Sequence, residues 1–498
     1  MIRLLSGDIG QIMSETPIIV GVAQVEQRIE DVTGGLEPLA MMIDAVRKAA
    51  EDAQCPQLLT EAGSVRVIRG IWPYANPAKP LADAIGNPTS ETVLTPYGGN
   101  FVQTTVNQSA IDIRDGVHDV VIITGAECGR SQAKAARAGV DLNWSDAPGT
   151  PDRFIGEEVE MRGPAEQGLG MGRPIQIYPM FENALRYHLG ETIAQQMERI
   201  STLWAGFSAV AATNPHAWIR DAKTPEELLT ITRENRPVSF PYPKLMNSNN
   251  NVDQGAALIL CSTSKARALG IPESQWVYPW AGTDAHDTYF VSNRDNLYSS
   301  PAIRIAGGRC LELAGLGVSD LDMVDVYSCF PVAVQVAARE IGLDLKKPLT
   351  VTGGLTFAGG PLNNYVMHSI SRMVELLRAK PSSKGLITAN GGYLTKHAFG
   401  VYSTEPPSAS YRHDDLQAQV DATPTREAIK EHSGPATVES YTVMFGPNGE
   451  PTMGHLSCLL DNGVRTWANC EDLDVLTAMT QEEFCGRPTR LHDRLASF

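Results

Sequence analysis

A chain of 498 residues exceeds the size at which one hydrophobic core stops growing, about 250–300 residues, and so predicts several domains. Its hydrophobic content of 43% with only 20% charged residues is that of a folded globular protein and excludes a disordered one. A formal charge of -16 excludes a surface built to neutralise nucleic-acid phosphates, while leaving small anionic ligands open to local basic groups.

The eight cysteines, at 55, 128, 261, 310, 329, 458, 470 and 485, show no CxxC and no metal-ligand spacing. They read as reduced thiols, and no metal site is expected. Residues 1–15 lack a sustained apolar run and no 18-residue apolar stretch occurs anywhere, so the expectation is a soluble cytoplasmic protein without membrane contact.

Residues 17–23 form a short apolar strand. Leu36, Leu39, Ile43, Val46 and Ala50 then fall on one face at spacings of three and four, the stripe of an amphipathic helix. Residues 65–72 alternate as a further strand. A glycine turn, 95–101, opens a helical stretch at 102–114 that leads into the apolar run 120–125, a buried strand. This β/α alternation predicts a mixed or parallel sheet with helices on both faces. Between 130 and 251 the pattern loosens into prolines, charges and two amphipathic helices (179–188 and 193–213), a loop domain expected to cap a site. Strand character returns at 252–261 and completes the first sheet.

The second half runs in parallel with the first: helix 303–314, strand 323–327, helix 332–341, a glycine turn at 353–361, helix 364–377 and strand 385–390. The pattern ends near 402, and 405–415 reads as a linker. Strand-like runs at 438–445, 452–460 and 464–469 follow, split by the hairpin signals Pro447-Asn448-Gly449 and Asp461-Asn462-Gly463. With a short helix at 473–479 and a last strand near 487–491 they predict a small β-barrel. Each glycine turn feeds a helix start, which offers backbone N–H groups and a positive dipole end to an anion or a developing oxyanion. Facing each other, the two turns would make one site.

The ordered blocks Gly98-Gly99-Asn100, Asn249 to Ala257, Tyr327-Ser328-Cys329-Phe330, Gly359-Gly360-Pro361 and Asn390-Gly391-Gly392 resemble those of the thiolase superfamily over about residues 17–406. The extra C-terminal part is similar to that of the bacterial thiolase-like proteins of type 1. The resemblance implies an α/β fold: a duplicated thiolase fold of αβαβα layers with two βαβαβ halves, an inserted loop domain and a small OB-like C-terminal barrel. The divisions are 17–129 (completed by 252–270), 130–251, 271–406 and 407–498.

The family's chemistry uses a cysteine nucleophile at the first buried helix, an N/H-x-x-F block, a Gly-His-Pro histidine and a Cys-x-Gly acid/base. Here the corresponding blocks carry Gly98-Gly99-Asn100, Tyr327 to Phe330, Gly359-Gly360-Pro361 and Asn390-Gly391-Gly392, so the usual thiol and imidazole are replaced. The resemblance then implies a protein that binds acyl-CoA or acetyl-CoA thioesters, an acyltransferase by descent. If chemistry remains, Cys329 is the candidate thiol, His397 the base, and Asn390 with the Gly392 N–H the oxyanion donors. Gly98, Gly99, Gly360 and Tyr327 would bind substrate. Cys329 reads equally as a small core residue and His397 as an ordinary turn histidine. Arg130, Lys134 and Arg137 could meet coenzyme A phosphates or form a solvated helix face. Coenzyme A enters as substrate or ligand, with no covalently bound cofactor. The alternative is a non-catalytic CoA-binding or partner-docking protein of lipid or sterol metabolism. The family implies a homodimer; the Pro-rich and polar segment 71–90 leaves a monomer open.

Overall fold

The computed structural model describes residues 15–498, so the reading of the first 14 residues lies outside the described part. The first sheet is built from β1 (Pro17–Glu26), β2 (Ser64–Val67), β3 (Glu91–Leu94), β4 (Val120–Cys128), β5 (Arg153–Phe154) and β6 (Asp253–Ser262). Their order is β1-β6-β4-β2-β3-β5, with β6 antiparallel to both neighbours and the rest parallel. The second sheet contains β7 (Tyr278–His286), β8 (Met323–Asp325), β9 (Lys384–Gly391), β10 (Lys396–Ser403) and β11 (Arg412–Asp415), in the order β8-β9-β10-β7-β11.

The duplication is visible in these orders. With β3, β5 and β11 set aside, each half has four strands, and both sheets run second, third, fourth, first, with the parallel or antiparallel sense agreeing at every junction. The first sheet adds a further strand, β3, beyond the second. At the equivalent edge of the second sheet only a single backbone bond remains, from Val326 N to Leu349 O at 2.9 Å.

Helices Phe101–Arg114 and Tyr365–Ala379 lie between the sheets and contact strands of both, while Pro38–Asp52 covers the outer face of the first and Gly308–Ala314 that of the second. The central strands are therefore buried on both faces, which is why 120–123 and 256–261 are unbroken apolar runs rather than alternating ones. Each fully buried Val, Ile or Leu there contributes about 1.5–3 kcal/mol. Helix Phe101–Arg114 also carries buried polar groups, and those of Gln103 and Asn107 are paired. Gln103 Nε2 donates to Asn107 Oδ1 at 2.8 Å, and the hydroxyls of Tyr402 and Tyr411 donate to Gln103 Oε1 (2.8 Å) and Asn107 Oδ1 (3.0 Å). Gly400 and Gly282 admit these amides: a Cβ at either would lie 2.4 Å and 2.2 Å from the Gln103 and Asn107 side chains.

Three expectations are corrected. The segment 405–415 is not all linker, because β11 pairs in parallel with β7 and belongs to the second sheet. The predicted loop domain contributes β5, which covers the outer edge of β3. Arg153 of β5 bonds Asp112 at 3.0 Å, and Asp112 also holds the fully buried Arg66 at 2.5 Å. The predicted strand at 65–72 stops at Val67, where the chain turns toward the site.

The C-terminal part forms a closed five-stranded barrel over residues 434–497. Its strands include β12 (Gly434–Phe445), β13 (Pro451–Leu459), β14 (Arg465–Cys470), β15 (Pro488–His492) and β16 (Leu495–Ser497), with β13 returning to pair with β12. Pro237–Ser239 from the loop domain adds to β12. The barrel is fastened to the second half by the buried Arg465, which ion-pairs with Glu439 (2.6 Å) and donates to the carbonyls of Ser292 (2.7 Å) and Arg294 (2.5 Å). Among the described residues no helix is long and apolar enough to cross a membrane.

Candidate functional site

A cavity of about 510 Å³ opens where the strand ends of both halves meet the loop domain. Gly98 and Gly99 come from the first glycine turn, Tyr327, Cys329 and Phe330 from the segment after β8, and Asn390, Gly391 and Gly392 from the end of β9. Of the residues expected at a site, Gly98, Gly99, Tyr327, Cys329, Asn390 and Gly392 thus share one wall. The loop domain supplies the cover: Glu158, Val159 and Met161, and the first turn of helix Pro174–Leu189 with Tyr178.

The first turn is held open for space. Gly98 N donates to Asn363 Oδ1 at 3.2 Å. A Cβ on Gly99 would stand 2.5 Å from Asn390 O and 2.6 Å from the Tyr327 hydroxyl, so the volume that a side chain at the helix entrance would need is filled by these two groups.

The second glycine turn does not mirror this. Asp325 anchors it by accepting from Val351 N (2.9 Å) and Thr352 N (3.2 Å). Gly353 lies against the loop-domain helix Ile193–Thr213, where its Cβ would be 2.4 Å from that of Ala211. Gly360, expected to bind substrate, is absent from the cavity wall: its N–H is spent on Asn249 O at 2.9 Å, and a Cβ there would meet Asn250 Oδ1 at 3.1 Å. That turn reaches the cavity only through Leu355, Leu362 and Asn363.

Tyr178 is the junction of the site. Its hydroxyl accepts from Asn390 Nδ2 (2.9 Å) and Leu394 N (2.9 Å) and donates to Gly392 O (3.1 Å), while its ring stacks on Phe330 at 4.6 Å. With both lone-pair directions and the proton thus assigned, the Asn390 amide must present its N–H₂ to Tyr178. The remaining N–H points at Cys329 Sγ, 3.8 Å away, and Asn390 Oδ1 is buried with no hydrogen-bond partner among the described residues. The expected donor role of Asn390 therefore competes with two contacts already made. Burial pushes the phenols of both Tyr178 and Tyr327 well above their ordinary pKa.

Cys329 precedes helix Pro331–Ile341, the placement expected of a dipole-activated thiol. Burial wins instead: the thiol is pushed up to about 12, although the Phe330 N–H and Asn390 act in the opposite direction. His397 does not line this cavity. Its Nε2 faces Leu394 O at 3.2 Å and Asp287 Oδ2 at 3.7 Å, and the ring borders a second cavity of about 410 Å³. Arg130 and Lys134 pair with Glu30, and neither they nor Arg137 reach the cavity.

The residue next to His397 is the one missed. Lys396, nine-tenths buried, lines both cavities and donates from Nζ to Tyr97 O at 2.8 Å. Strand alternation sends Lys396 and His397 to opposite faces of β10, so the sequence signal for one was also the signal for the other.

Residues 415–494 match the family described as "Thiolase-like protein type 1 additional C-terminal domain". The crystal structure of a monomeric SCP2-thiolase like protein type 1 from Mycobacterium smegmatis is similar at a TM-score of 0.82 and 31% identity, covering 97% of this chain and 98% of that one. Acetyl-CoA acetyltransferase of Methanocaldococcus jannaschii is 23% identical over 240 residues, 48% of this chain; the match spans about half of that relative's length, 53%. A steroid side-chain-cleaving aldolase of Thermomonospora curvata is 24% identical over 296 residues, 57% of this chain and 71% of that one.

Proposed function

Because the chain belongs to the thiolase-like protein type 1 family, we propose that its cavity binds the thioester end of an acyl-coenzyme A, without passing the acyl group to a cysteine. The observation that carries this reading is the shared wall: Gly98-Gly99 of one half and Asn390 to Gly392 of the other face a single, mostly apolar slot of about 510 Å³. That volume suits an acyl-pantetheine segment. The helix Phe101–Arg114 begins at this wall and puts its positive end where a polarised thioester oxygen would lie.

Two observations favour binding over acyl transfer by a thiol. The helix entrance at Gly99 has no room for a cysteine side chain, and the thiol of Cys329, at about 12, is almost wholly protonated at neutral pH, where only the thiolate is a nucleophile. Calorimetric titration with acetyl-CoA tests the reading. Heat of binding that Gly99→Ala abolishes supports it; absence of heat with acetyl-CoA and with a longer acyl-CoA overturns it.

A further inference from the structure

The two cavities share two lining residues, Val159 of the loop domain and Lys396. Lys396 lies on β10 opposite Gly391 and beside His286 of β7, and it borders the thioester slot on one side and the 410 Å³ cavity on the other. Its amine makes no ion pair among the described residues; the one acceptor it meets is the Tyr97 carbonyl, and the Phe101 ring lies 5.0 Å away. Most other lysines of the chain are exposed or partly exposed and paired with a carboxylate, as Lys134 is with Glu30 and Lys265 with Glu61. A buried, unpaired ammonium is costly, and the cost is relieved when the amine gives up its proton.

The glycine of the first turn is what brings this amine to the slot. A Cβ on Gly98 would sit 2.9 Å from Lys396 Nζ, so any larger residue there would push the amine back. On the far side, the second cavity is walled by His286, His413, Asp284, Asp415 and Glu157, together with Asn107 and Gln108 of helix Phe101–Arg114. His413 Nε2 and Asp284 Oδ2 are 2.9 Å apart. This wall sets several titratable side chains, His286, His413, Asp284, Asp415 and Glu157, around the cavity behind Lys396.

We propose that Lys396 is a catalytic base that removes a proton from the α-carbon of a thioester bound in the slot and returns it through the polar cavity behind. The inference rests on the thioester reading above. In the step, the C–H electron pair moves into the carbon–carbon bond, the carbonyl π pair moves to the thioester oxygen at the positive end of helix Phe101–Arg114, and the proton goes to Nζ. Reversal restores the thioester, so no oxidant, reductant or second substrate is consumed. The neutral amine this needs is favoured by burial, which lowers the lysine below its ordinary value against the opposing field of Glu158. Proton transfer by a placed side chain is worth about 10²–10⁴ in rate.

The test is exchange of the acetyl hydrogens of acetyl-CoA for deuterium in D₂O, followed by NMR with the full-length protein. The wild type is expected to catalyse exchange, with a rate that climbs with pH and levels off below the ordinary lysine value of about 10.4. Lys396→Gln and Lys396→Arg are expected to keep calorimetric binding of acetyl-CoA and to lose at least about a hundredfold in exchange; Arg keeps the charge but cannot serve as a base near neutrality. Binding without exchange in the wild type overturns the role of Lys396 and leaves the thioester reading standing. Exchange that persists in either variant also overturns it, and no binding at all removes both.

Discussion

The turns at Gly98-Gly99 and at Gly353-Gly354 stand at corresponding places in two sheets of one strand order, yet one walls a cavity and the other is sealed by a helix. At the first, backbone and a tyrosine hydroxyl approach to 2.5 and 2.6 Å of the missing Cβ, and the space beyond is open. At the second, helix Ile193–Thr213 of the loop domain lies directly on the glycines, with Phe207 and Ala211 filling the approach. Duplicated geometry therefore does not bring duplicated use. What is laid over each turn decides whether its glycines serve a ligand or a packed interface.

Three experiments break or sharpen this contrast. The largest effect is expected at Cys329, on the wall between the two turns. With its thiol at about 12, against about 8.5 for a free cysteine, alkylation of the native protein at pH 7.5 should run roughly a thousandfold slower than for a free thiol. Mass spectrometry of iodoacetamide-treated protein reads this directly, and rapid labelling of Cys329 would show an activated site instead.

Next come the glycines themselves. Gly353→Ala places a Cβ against the Ala211 backbone at a residue whose φ is 102°, and should cost about 3 kcal/mol in urea denaturation without a specific effect on ligand. Gly99→Ala must displace Asn390 O as well as the Tyr327 hydroxyl, but Gly99 is not among the positive-φ glycines, so it should cost less, about 1–2 kcal/mol, while abolishing acetyl-CoA binding. Equal stability losses with binding intact in both would erase the distinction between the turns.

The last experiment concerns the first half alone. Glu127, at the end of β4, is buried and accepts from Ile71 N at 2.9 Å; burial raises its carboxyl to about 8. The folded state thus holds this proton longer than the unfolded chain does. Its contribution is fully present below about 4.5, declines by up to about 1.4 kcal/mol per pH unit as pH rises toward 8, and is flat above that. Glu127→Gln should flatten the denaturation midpoint across pH 5–8; an unchanged slope would show that the carboxyl ionises freely in the fold.

The layered architecture was legible because doubly buried strands leave unbroken apolar runs, as at 120–125 and 385–390, and because each glycine turn precedes a helical period. Strand β11 was not, since Arg412-His413-Asp414-Asp415 is a polar, partly exposed edge strand held by pairing with β7 rather than by its own composition. At the site, Asn390 and Cys329 could be found from short blocks in the chain. Tyr178 could not, because its partner Asn390 is 212 residues away and only the closed loop domain unites them. The choice of His397 over Lys396 turned on which face of β10 meets the slot, a matter of register that local sequence does not carry.

The two-residue strand β5 has a consequence out of proportion to its length. By bonding to Val93 and Leu94 of β3 and anchoring Arg153 on the Arg66–Asp112 pair, it occupies that stretch of the β3 edge and makes a two-residue ribbon the outermost strand of the sheet. A chain that paired with β3 at these two residues would first have to peel the ribbon away from its buried arginine latch.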